Sequence, residues 1–127
     1  MGKQGYLIDS NVVTDYLAGL LPEHGMEFMH PIIDAVPRIS VITRIEILGF
    51  NTTEYALIAD FVEHSIVYDL TEPIILETIS LRKSRKIKLP DAVIAATAKV
   101  CGLKLITQNE SDFLGVKGLS VLNPHKR

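Results

Sequence analysis

The chain has 127 residues, 47% of them hydrophobic and 22% charged, with a formal net charge of −2 at neutral pH. That length suits one domain over residues 1–127 with one core, and the apolar content excludes a disordered chain. No apolar run approaches the ~20 residues that cross a bilayer, and the near-neutral charge excludes a global pull toward nucleic acid, so any such contact needs a local patch.

The first residues, Met1-Gly2-Lys3-Gln4-Gly5-Tyr6, lack the apolar stretch of a signal peptide and the Ser or Thr of a myristoylation site, so a cytoplasmic protein is expected. Gly5-Tyr6-Leu7-Ile8 reads as a short buried strand stopped by Asp9-Ser10-Asn11. Val13, Tyr16, Leu17 and Leu20 then recur at helical spacing, with Ser10 or Asn11 as cap. The stretch from Pro22 to Pro37 carries three prolines and reads as a mobile connection with a short helix. Its Met26, Phe28 and Met29 form a soft apolar cluster suited to gripping a partner helix.

Arg38–Ile42 is expected as a second strand, and Thr43-Arg44-Ile45-Glu46 as the opening of a helix closed by Gly49. A third helix starts at a Thr53 cap, followed by a strand over Ser65–Tyr68. Thr71-Glu72-Pro73 opens the next helix, which finishes in Arg82, Lys83, Arg85, Lys86 and Lys88. From Leu89 to Gly102 runs a helix with Pro90 in its first turn, a glycine stop, and small or apolar side chains on every face, the pattern of a helix buried against a sheet. Cys101 falls inside it and reads as a small apolar filler, with no disulfide framework in prospect. Strands over Leu103–Thr107 and Gly118–Leu122 complete the chain.

Short apolar strands alternating with helices predict a parallel sheet covered on both faces, whose ligand site lies outside the carboxyl ends of the strands. Asp9 follows the first strand, Glu46 lies one turn into the helix after the second, Asp91 opens the buried helix, and Asp112 lies just past the fourth strand. Four carboxylates in one place repel one another, and a bound cation is the remedy. Oxygen donors alone select magnesium or manganese; His24, His30, His64 and His125 show no ligand spacing for zinc. Such a site suits phosphodiester hydrolysis, in which the ion acidifies water and offsets charge at phosphorus.

Tyr6-Leu7-Ile8-Asp9-Ser10-Asn11, Thr43-Arg44-Ile45-Glu46, Leu89 to Ala98, and Leu105 to Phe113 resemble the successive motifs of the PIN-domain ribonucleases, and within them the VapC-type toxins of toxin–antitoxin pairs. The resemblance spans nearly the whole chain. It implies a three-layer α/β/α fold with a five-stranded parallel sheet, a metal-dependent endoribonuclease acting on RNA, a cognate antitoxin and a homodimer. Carried over by position, the family's acids fall on Asp9, Glu46, Asp91 and Asp112, which serve as catalytic and metal-holding residues. Ser10, Asn11, Thr43, Thr107 and Asn109 fall beside them as auxiliary polar groups. Many relatives carry a further acid where this chain has Asn109, which favours one resident ion. The antitoxin is expected to direct an Arg or Lys at the four acids.

Plainer readings stand beside these. Asp91 can serve the helix dipole, Glu46 can close a capping box with Thr43, and Asp9 can cap the first helix. The basic run Arg82 to Lys88 is either a solvated helix end or an RNA contact. Asp15, Asp60, Glu63, Asp69 and Glu77 are assigned to solvent. Two other functions remain open: an inert PIN-like binding module, and phosphoryl transfer through Asp9. The latter chemistry wants a second acid two residues on, where this chain has Asn11.

Overall fold

A computed structural model describes residues 5–126, in which five short strands alternate with six helices. The expectation drawn from the first residues of the chain rests largely on residues 1–4, which lie outside the described ones. In chain order the elements are β1 (Tyr6–Ile8), α1 (Ser10–Leu17), α2 (Glu23–Asp34), β2 (Arg38–Ser40), α3 (Val41–Leu48), α4 (Tyr55–Glu63) and β3 (Ile66–Tyr68). They continue as α5 (Glu72–Ser84), α6 (Leu89–Cys101), β4 (Lys104–Ile106), a 3-10 turn (Glu110–Phe113), β5 (Val121–Leu122) and a last 3-10 turn (Pro124–Lys126). No helix among the described residues is long and apolar enough to cross a membrane.

All strand pairing is parallel: β1 pairs with β4 and β4 with β5, while β2 pairs with β3. β1 packs beside β2, so the strands run 3-2-1-4-5, with the hydrogen-bonded ladder divided into three strands and two. The expected five-stranded ladder is therefore interrupted between β2 and β1. Each strand has only two or three residues before the chain turns away, which leaves little edge for continuous pairing.

Alternation along the strands builds the three layers. Leu7 and Leu105, opposite each other in register, pack with Ile74, Leu81, Val93 and Ile94 of α5 and α6. Their neighbours Ile8 and Ile106 point the other way, into Val12, Val13, Met29, Ile47, Ile58 and Phe61 of α1 to α4. Helix α6 is buried from Ala92 through Ala98, as its composition predicts, and Gly102 ends it at φ 67°, where a side chain would be strained. Cys101, the last residue of α6, is half-buried.

Several boundaries move. The stretch after Pro22 is a twelve-residue helix, α2, rather than a mobile connection. Its Pro31 forfeits a helix hydrogen bond, a cost of about 3 kcal/mol in an isolated helix. The apolar stripe offsets it: Met29 is fully buried and Met26, Phe28, Ile32 and Ile33 pack against the core, at about 1.5–3 kcal/mol per fully buried side chain. Met29 is thus committed to the core, while Met26 and Phe28 pack against it half-buried, with Phe28 set edge-on against Tyr6. β2 ends at Ser40, whose hydroxyl accepts from the Thr43 backbone N–H at 3.2 Å and caps α3. The helix therefore begins before Thr43, and no Thr43–Glu46 capping box forms. α4 begins at Tyr55 rather than at a Thr53 cap.

Candidate active site

Strand β1 is the crossing point of the fold, with β2 on one side and β4 on the other, and Asp9 leaves its carboxyl end. Asp9 caps α1: its Oδ1 accepts from the Ser10 backbone N–H at 2.8 Å. Ser10 is accordingly the first helical residue rather than the cap. Oδ2 of Asp9 accepts from the Thr107 hydroxyl at 2.8 Å and from the Asn11 side-chain amide at 3.2 Å. Thr107, fully buried at the end of β4, also accepts from the Asn109 N–H at 3.0 Å, and Asn11 Oδ1 accepts from the Gln108 N–H at 3.1 Å. The chain ends leaving β1 and β4 are therefore stitched together through one carboxylate. The Ser10 hydroxyl donates to Glu46 Oε1 at 2.5 Å, which ties α3 to the same point.

Asp9, Ser10, Asn11, Glu46, Asp91 and Asn109 line a cleft of about 600 Å³. Burial pushes the Asp9 carboxyl above its ordinary 3.8; the hydrogen bonds from Thr107, Ser10 and Asn11 pull against it, and Glu46 adds to the rise. Asp91, half-exposed at the start of α6, is raised first by burial and then by Asp112, Asp9 and Glu46 in turn, with Lys88 the opposing charge. Asp91 is thus the acid on which the charges of the other three converge. Asp112 sits differently from the other three: it is exposed on the 3-10 turn and lines a second cleft, of about 680 Å³, with Asp91, Ser111, Arg82, Arg85, Lys86 and Lys88. The two clefts meet at Asp91.

Some expected residues fall elsewhere. Thr43 is fully buried, lines neither cleft, and its hydroxyl has no partner among the described residues. Lys83 lies in the last turn of α5 and does not line the basic cleft. Asp15 and Glu77, assigned to solvent, instead meet His125 Nε2 at 2.9 Å and form an ion pair with Lys99 at 2.7 Å, respectively. Asp15, Thr14, Ile45 and Phe50 line the acidic cleft and were missed. Asp15 stands four residues beyond Asn11, so helical spacing alone could have found it; Phe50 follows the helix-ending Gly49 with no local signal.

No three His, Cys, Asp or Glu side chains among the described residues stand close enough to share one ion as they are arranged. The donor set still fits a hard cation. Magnesium keeps most of its water and needs one or two carboxylates, and among the described residues no cation forms an ion pair with Asp9 or Asp91. Asp9 and Asp91 could hold it with water completing the shell, and Glu46 and Asp112 stand at the edge of such a site.

A parallel α/β domain with acids gathered outside its central strand defines a class, and sequence comparison names it: the chain belongs to the PIN domain family, which it matches over residues 6–119. Its structure is similar to a toxin–antitoxin complex from Klebsiella pneumoniae, at 28% identity and TM-score 0.75, covering 94% of this chain and 98% of that one. It also resembles a DNA-bound VapBC from Salmonella typhimurium, at 21% identity and TM-score 0.78, over 96% and 99% of the two chains. A third similar structure is FitAcB from Neisseria gonorrhoeae, at 24% identity and TM-score 0.75, over 94% and 97%. Among curated proteins no sequence match is found.

Proposed function

We propose that this chain is a VapC-type toxin: an endoribonuclease that uses magnesium or manganese to hydrolyse RNA phosphodiester bonds and is held in check by a cognate antitoxin. One observation carries the reading. Acids from separate elements gather outside the central strand, where burial and mutual repulsion raise Asp9 and Asp91 and no ion pair among the described residues relieves them. The ion would supply acidified water and offset charge at phosphorus. Thr107, Asn11 and the Ser10 backbone fix the Asp9 carboxylate for it, while Ser10 fixes Glu46. An inert binding module would show no metal-dependent cleavage, and phosphoryl transfer through Asp9 is disfavoured because the second acid that chemistry wants two residues on is replaced by Asn11.

The partner reading moves from Met26, Phe28 and Met29, which pack wholly or partly into the core, to an apolar groove lined by Leu17, Phe50, Leu57 and Ile58. This groove shares Thr14 and Phe50 with the acidic cleft. An antitoxin segment with apolar side chains in the groove and an Arg or Lys toward Asp9, Glu46 and Asp91 would exclude substrate. The antitoxin of the Klebsiella pneumoniae complex gives precedent for such a partner. A homodimer and a cytoplasmic setting belong to the same proposal. The test is to produce the chain with the product of the adjacent reading frame. A tight complex inactive on RNA, with metal-dependent cleavage appearing once the partner is stripped, is expected. Cleavage that persists in chelator would overturn it.

A further inference from the structure

We propose that the basic cleft formed by Arg82, Arg85, Lys86 and Lys88 seats phosphates of the RNA strand next to the bond that is cut. The inference rests on the nuclease reading of the neighbouring acids, and the geometry of the cleft carries it further than a solvated helix end can explain. Helix α5 ends at Ser84, so Lys86 and Lys88 lie beyond any service to its dipole, yet they join Arg82 and Arg85 around one concavity of about 680 Å³.

Their charges are unspent. Among the described residues none of these four cations forms an ion pair, whereas Lys99, Lys126 and His125 are each matched with a carboxylate. Asp91 and Asp112 stand in the same cleft, and still no ion pair closes between the signs. Both guanidiniums are pre-placed by backbone carbonyls: Arg82 Nη1 donates to Ile87 O at 2.9 Å and Arg85 Nη1 to Leu114 O at 2.6 Å. Arg85 keeps a buried Nε–H with no partner.

A polyanion needs such a place here. The acidic cleft is lined by no Lys or Arg among the described residues and repels a phosphate chain. The adjoining cations offset that repulsion at the one residue, Asp91, that both clefts share. Phosphate contacts of this kind hold the strand without reading its bases.

The test uses the full chain in chelator, with a short fluorescein-labelled oligouridylate followed by anisotropy between about 50 and 200 mM salt. Lys86→Gln changes an exposed side chain that forms no ion pair among the described residues, while Lys88→Gln also removes the charge that opposes Asp91, so Lys86→Gln is the cleaner of the two. Each should lower the salt slope of binding by about 0.7. Lys104→Gln, outside the cleft, should leave it unchanged. Equal slopes in parent and cleft variants, no binding by the parent, or polyglutamate competing as well as RNA would overturn the proposal, the last in favour of an acidic protein partner. Cleavage in manganese is scored separately. Cleft variants that raise KM more than they lower kcat support the seat, and an unchanged KM overturns it with the nuclease reading intact. The expected slopes without any cleavage would remove the nuclease reading and leave the phosphate seat standing.

Discussion

Asp91 carries the sharpest consequences at the scale of single residues. Its carboxyl, like that of Asp9, is raised above 3.8 by burial first and by neighbouring acids second. A raised acid binds its proton more tightly folded than unfolded, so its stabilising effect is full below the unfolded value and is lost as pH climbs through the folded one. The metal-free protein should therefore gain stability from these two groups as neutral solution is acidified. Asp91→Asn should raise the metal-free Tm at neutral pH and flatten this part of the pH dependence. Thermal melts of parent and variant in chelator check both, and a variant that melts lower than the parent contradicts the repulsion. Thr107→Val tests the stitch between the strand ends. It keeps the buried shape but leaves Asp9 Oδ2 and the Asn109 N–H without the hydroxyl they share, at a cost of about 1–3 kcal/mol in denaturant unfolding.

Elements differ in how plainly the sequence announces them. Helix α6 was legible end to end because Pro90, an all-apolar body and Gly102 are local signals. The meeting of Asp9 and Glu46 in one cleft was legible because Asp9 directly follows one short apolar strand and Glu46 lies in the helix after another. Helix α2 was not, since Pro31 argues locally against a helix whose stripe is rescued by distant core contacts. Nor was the division of the sheet, which depends on how far strands of two or three residues extend their pairing. The basic cleft escaped in part for the same reason: spacing gives the run of cations, but only the folded chain leaves Lys83 of α5 out of the cleft and brings Asp112 alongside. Two glycines separate local from tertiary causes. Gly102 has open space where a side chain would go and a φ of 67°, so Gly102→Ala should cost about 1 kcal/mol through backbone strain alone. Gly25 sits on α2 against the Pro124 carbonyl, where a methyl group would collide with backbone. Gly25→Ala should therefore destabilise more than Gly102→Ala in urea unfolding, and should loosen the final turn, which holds Asp15 and Glu110 through His125 and Lys126.

For the whole molecule, a net charge of −2 conceals two adjoining clefts of opposite sign. Such an arrangement fits a protein that must draw in a polyanion and then work on it at acids. In chelator, Asp91→Asn should bind RNA more tightly than the parent, because one repulsive charge at the junction of the clefts is gone; filter binding measures it, and weaker binding contradicts the electrostatic account. The central claim is that the gathered acids form a divalent-metal nuclease centre. It is tested most directly by the initial rate of RNA cleavage against manganese concentration, for the parent and for Asp91→Asn. The parent should be silent in chelator and gain rate saturably with manganese. Since even outer-shell changes at metal sites cost about 10–100-fold, the variant should be slower by about 100-fold or more. Equal rates in parent and variant, or a rate indifferent to manganese, would contradict it.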